Sequence, residues 1–147
     1  MGIKANFPTG QIRRHIQNQI PLIEQGIILA LASLGEQLVN HARSLDTYKD
    51  QTGNLRSSIG YVIAKNGKVV KDYFPGEKPT GTNTGRTFAS LESSGKKGFS
   101  LIVVAGMEYA AKVESRGYDV IASAELISMA EIPDLRRRIQ TIIRTLR

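Results

Sequence analysis

Ile12, Ile16, Ile20, Ile23, Ile27, Leu31, Leu34, Leu38, Ala42 and Leu45 recur at steps of three and four residues. An α-helix turns once in about 3.6 residues, so these steps gather the side chains into one long stripe. A helix with such a stripe must bury it against a sheet or another helix. Thr9 is the expected N-cap, because its hydroxyl can accept from an unpaired amide of the first turn. Pro21 lies inside the pattern and has no amide hydrogen to donate. It predicts a kink or break, leaving a short leading helix and a main helix from about residue 21 to 47.

Downstream, Thr52-Gly53-Asn54 carries turn chemistry. Leu55 to Ala64 reads as a strand, with Leu55, Ile59, Tyr61 and Ile63 on one parity. Asn66-Gly67 suits a type I′ hairpin turn, and Lys68 to Phe74 returns as the second strand. Residues 75–98 are rich in glycine, proline and threonine and read as a long flexible surface loop. A short helix from Arg86 to Ser93, contacting through Phe88 and Leu91, fits inside it. Such a loop predicts that residues 76–97 can be removed with the fold intact. Phe99 to Met107 is nearly all apolar, as in a central strand covered on both faces. Glu108 to Arg116 suits a short helix ended by Gly117, and Tyr118 to Ala122 a brief strand. Ser123 to Arg147 reads as a terminal helix capped at Ser123, with Leu126, Met129, Leu135, Ile139, Ile142, Ile143 and Leu146 inward. Pro133 bends it or starts its second half. The expectation is a single α+β domain over residues 1–147.

The chain has 147 residues and no cysteine, which removes thiol catalysis, thiolate metal sites and disulfides. Met1 to Asn6 holds no signal-peptide apolar core, and Asn6 stands where a myristoylation motif wants Ser or Thr. The most apolar run, Gly26 to Gly35, is shorter than the roughly 20 residues a bilayer requires. These features predict a soluble protein, made in the cytoplasm, with no membrane partner.

Candidate chemistry is sparse. His15 and His41 lie far apart and outside any HExxH pattern, so a structural role is expected for both. Glu108 and Glu114 bracket the short helix without a visible cleft between them. Gly81-Thr-Asn-Thr-Gly85-Arg86-Thr87 falls short of a phosphate-binding loop: it is one residue too short between its glycines and has arginine for lysine. No catalytic, cofactor-binding or metal-binding residue is assigned, and no enzyme is expected.

The net charge is +7, concentrated at both ends and in residues 65–98. Arg136, Arg137, Arg138, Arg144 and Arg147 crowd the last helical segment, and Lys96 and Lys97 lie in the middle one. They are candidates for an acidic partner surface or for DNA phosphates. Consecutive arginines fan out around a helix instead of forming one stripe. The +7 charge makes a basic, non-specific nucleic-acid-binding module the alternative reading.

Two motifs go further. Thr52-Gly53-x-Leu55-Arg56-x-Ser58-Ile59 after a long amphipathic helix, and Ala105-Gly106-Met107-x-Tyr109-Ala110-x-x-Val113-Glu114-x-x-Gly117 downstream, resemble the pattern of the tailed-phage (siphovirus-type) head–tail connector or tail-completion family. These are minor virion-morphogenesis proteins. The resemblance implies a small antiparallel sheet of three or four strands, packed by the long N-terminal helix and a C-terminal helix. It implies a structural protein forming a homo-oligomeric, hexameric ring at the head–tail junction of the virion, assembled in the host cytoplasm. Its partners would be head-completion and tail-terminator proteins, with DNA passing through the lumen. An expected ion pair between Arg56 and Glu114 would tie the two motifs together.

Overall fold

The computed structural model describes Gly2 and residues 9–145. The side chains of Thr9 and Ile12 lie outside what it describes, as do residues 3–8, Leu146 and Arg147. Helix α1 (Thr9–Ser44) is followed by one helical turn, α2 (Asn54–Ser57). Strands β1 (Ile59–Lys65) and β2 (Lys68–Tyr73), helix α3 (Pro79–Ser93) and strand β3 (Phe99–Ala105) come next. Helices α4 (Ala110–Ser115) and α5 (Ala122–Thr145) complete the order. The sheet is antiparallel in the order β2-β1-β3, so the fold is α+β as expected.

Alternation on β1 divides the core. Ile59, Tyr61 and Ile63 face α1, where they pack with Leu31, Leu34, Leu38, Val39 and Ala42, and α5 closes this side through Ala124. Val62 faces the other way, toward Phe74, Ala89 and Val104 under α3. Each fully buried Leu or Ile contributes roughly 1.5–3 kcal/mol relative to exposure. An 18-residue window of α1 reaches a mean hydropathy of 1.4, enough for a membrane span by length and composition. From Leu31 onward, however, its apolar side chains are buried in this core.

Several expectations are corrected. α1 runs unbroken through Pro21, and α5 through Pro133. Both prolines are exposed, as are Gln17 and Met129 four residues before them; water can satisfy the carbonyls that lose a donor. The stripe on α1 is only partly covered: Ile16 and Ile20 remain exposed beyond the sheet. Leu55 belongs to the α2 turn and not to a strand. The central strand is β1, buried along almost its whole length, while β3 is an edge strand whose faces alone are covered.

The segment expected as a long flexible loop, residues 75–98, is mostly the 15-residue helix α3. The short helix expected from Arg86 to Ser93 is its second half, but Phe88 and Leu91 are exposed and Ala89 makes the buried contact. Pro79 stands in the first turn of α3, where a missing amide hydrogen costs nothing. Its glycines permit close approach, not turning: a Cβ at Gly85 would fall 2.5 Å from the Ser58 carbonyl oxygen. Tyr118 to Ile121 forms no strand. On α5, Leu126 and Met129 point outward, and Leu135, Ile139, Ile142 and Ile143 are half-buried. The hairpin is as read, with Asn66 at φ 51° and Gly67 at φ 81°.

Candidate functional site

The two motifs meet at Ser58. Its main chain and hydroxyl are wholly buried at the junction of α2 and β1. The Gly106 amide donates to the Ser58 carbonyl at 3.2 Å, and the Met107 amide donates to the Ser58 hydroxyl oxygen at 3.3 Å. That hydroxyl donates in turn to the Leu55 carbonyl at 2.7 Å. A buried serine with all its hydrogen bonds made acts as a rivet, because leaving any of these groups unpaired would cost about 1–3 kcal/mol.

The turn leading into α2 is set by Asp50. One carboxylate oxygen accepts from the Gly53 amide at 3.0 Å and the other from the Arg56 amide at 2.8 Å. Gly53 adopts φ 76°, a left-handed conformation that favours glycine. Thr52 supports the turn by accepting from the Asn54 amide at 3.2 Å. Leu55 then drops into the core at 1% exposure. Sequence reading missed Asp50, although its spacing carries the signal: an aspartate shortly before a turn glycine commonly accepts from nearby amides.

Arg56 points back toward the end of α1. Its guanidinium donates to the Leu45 carbonyl at 2.7 Å and lies 3.5 Å from the exposed Asp46 carboxylate. It also covers the Tyr48 ring, 5.3 Å from the centroid. Arg43 closes the loop by donating to the Arg56 carbonyl. The Tyr48 hydroxyl and Arg56 Nε find no hydrogen-bond partner among the described residues. Burial pushes the Tyr48 hydroxyl above its ordinary pKa, against the lowering effect of Arg56.

The expected Arg56–Glu114 pair does not form. Glu114 instead accepts from the amides of Ile121 at 2.7 Å and Ala122 at 3.0 Å, capping the start of α5. A carboxylate is well suited to that position, where unpaired amides and the helix dipole both favour negative charge. Gly117, at φ 89°, lets the chain turn from α4 toward this cap. Ala110 is buried, Val113 half-buried, and Tyr109 exposed at the rim. Between the motifs lies a groove of about 340 Å³, lined by Asp50, Thr52, Leu55, Met107, Tyr109 and Val113 among others.

The basic residues do not converge. Arg136, Arg137 and Arg138 fan around α5, all exposed, as is Arg144. Arg137 pairs weakly with Asp134 at 3.5 Å, and both border a shallow groove with Arg138 and Thr141. Lys96 and Lys97 are exposed on a different element, the turn before β3. His41 links α1 to α5 through Ser123 at 2.8 Å, and His15 lies beside Gln19. Gly81 to Thr87 is helical, so its amides are not arranged as a phosphate-binding loop. Among the described residues no three His, Asp or Glu side chains gather as metal ligands.

The surface feature that sequence reading missed is the outer edge of β3. Its sequence, FSLIVVA, carries no charge and no proline, and its pairing with β1 has no bulge. The opposite edge, β2, carries Lys68, Lys71 and Asp72 and an irregular register. Proteins blunt exposed edges with such charges and bulges, so β3 is the unguarded side. Compared with protein-family models, curated proteins and solved structures, the chain finds no match.

Proposed function

We propose that this chain is a structural virion-assembly protein that joins the phage head to the tail, acting as a ring-forming tail-completion protein. The observation that carries this reading is the joint at Ser58. The two sequence segments that resemble the connector family are built into one hydrogen-bonded unit whose residues set turns, caps and core contacts. The unguarded β3 edge supports it from the side of assembly, since main-chain pairing with another protein is the natural use of such an edge. Segments of opposite net charge along the chain suit a head-to-tail ring, in which one face of a subunit meets a different face of the next.

In this reading the partners are the head-completion protein on one side and the tail terminator on the other. The exposed arginines of α5, together with Lys96 and Lys97, are candidates for contact with DNA in the lumen. Removing the gene from the phage that encodes it tests the proposal. Full heads and unattached tails are expected; normal infectious particles would contradict it. Strongly salt-dependent binding of the purified protein to duplex DNA, without any assembly defect, would favour the nucleic-acid-binding module instead.

A further inference from the structure

One face of α5 is left uncovered by its own chain. Glu125, Met129, Ile132 and Arg136 follow one another at steps of four, three and four, which places them on one stripe. All are exposed, Met129 at 58% and Ile132 at 46%. None of the ion pairs among the described residues involves Glu125 or Arg136. The order is acid, apolar, apolar, base, symmetric about the midpoint between Ala130 and Glu131. Reversed end for end about that midpoint, the stripe maps onto itself with its charges exchanged.

We propose that this stripe binds the same stripe of a second copy, with the two α5 helices antiparallel about a two-fold axis near residues 130–131. Met129 then meets the partner's Ile132, and Glu125 meets the partner's Arg136, each contact occurring twice. Self-complementarity about a midpoint is what an isologous contact requires, and an unrelated partner would have no need of it. The stripe is continuous with an apolar groove of about 410 Å³ between α5, α1 and β3, because Glu125 and Ile132 also line that groove beside Leu101 and Val103. A second helix lying across it removes both patches from water together.

This inference does not rest on the head–tail reading. A two-fold contact closes on itself and cannot be the repeating contact of a head-to-tail ring; the dimer is a state of the free protein.

Sedimentation velocity of the full chain over a concentration series tests it, with circular dichroism as the check on folding. A monomer–dimer equilibrium is expected for the unaltered protein. Glu125→Arg or Arg136→Glu alone sets like charges against each other at both contacts and weakens the dimer roughly tenfold or more. The two substitutions together restore it. Because the chain has no cysteine, a variant carrying both Met129→Cys and Ile132→Cys, the two positions that face each other across the axis, oxidises to a covalent dimer, whereas Leu91→Cys on the exposed face of α3 does not. A protein that stays monomeric, single reversals that dimerise normally, or a double reversal that fails to recover would each overturn the proposal. Rings forming with no dimer would also overturn it while leaving the head–tail reading intact. A head–tail joining defect without dimers separates the two in the same way.

Discussion

Arg56 and Glu114 show how far residue types alone lead and where they stop. Both were legible as constrained positions, and a pairing between them was reasonable from charge. The structure gives each a backbone partner instead: a carbonyl at the end of α1 for Arg56, two amides at the start of α5 for Glu114. Every helix end carries unpaired backbone groups, and residue types do not say which end a side chain distant in sequence will reach, which is why these partners could not be read. Glu114→Ala is therefore expected to cost about 1 kcal/mol by loss of a helix cap, measured by urea unfolding. Reversing both charges in one protein should not rescue stability relative to the single reversals; rescue would revive the ion pair. Tyr61 supplies a pH prediction. Burial, reinforced by Glu36, pushes its hydroxyl up to about 12. The folded chain thus holds this proton more tightly than the unfolded one, so its share of stability is intact below pH 10 and is lost as pH rises from 10 toward 12. Tyr61→Phe should remove that part of the decline in unfolding curves taken across the range, with little effect near neutrality.

At the scale of elements, α1, the β1–β2 hairpin and α5 were legible because each repeats a clear period or carries a defined turn. Asn66-Gly67 could be read from the pair alone, since both residues tolerate positive φ. Of α3 only the second half was read, as the short helix from Arg86 to Ser93, because Gly81 and Gly85 look like helix breakers when they are seen without their neighbours. Gly85 faces the Ser58 carbonyl and Phe74, and Gly106 packs on Gly85 in turn. Gly85→Ala should destabilise the protein by about 1–3 kcal/mol through overpacking, even though alanine is the better helix former. Gly95→Ala, with open space around it but φ 78°, tests conformation instead of packing and should cost less. α3 also covers Val62, Phe74 and Val104. Deleting residues 76–97 would expose that face of the sheet, so the product should be insoluble or unfolded by circular dichroism, not a folded protein lacking a loop. The place of β3 was misread for a related reason: an apolar strand is consistent with covered faces, but hydropathy does not reveal whether its edge has a neighbour.

For the whole molecule, the sequence supports the α+β class and the order of helices and strands, and the structure adds surfaces. The joint at Ser58 holds α2, β1 and the approach to α4 in one rigid unit, and most of the exposed large apolar groups lie elsewhere: on the leading part of α1, on β2, on the outer face of α3 and along α5. That separation of a riveted interior from unpartnered edges is the physical content of the assembly reading. The most direct measurement is electron cryomicroscopy of virions carrying a tagged copy of this protein. The expected result is a ring of tagged density at the head–tail junction. Intact particles with the tag at any other station, or with none bound, would contradict the account.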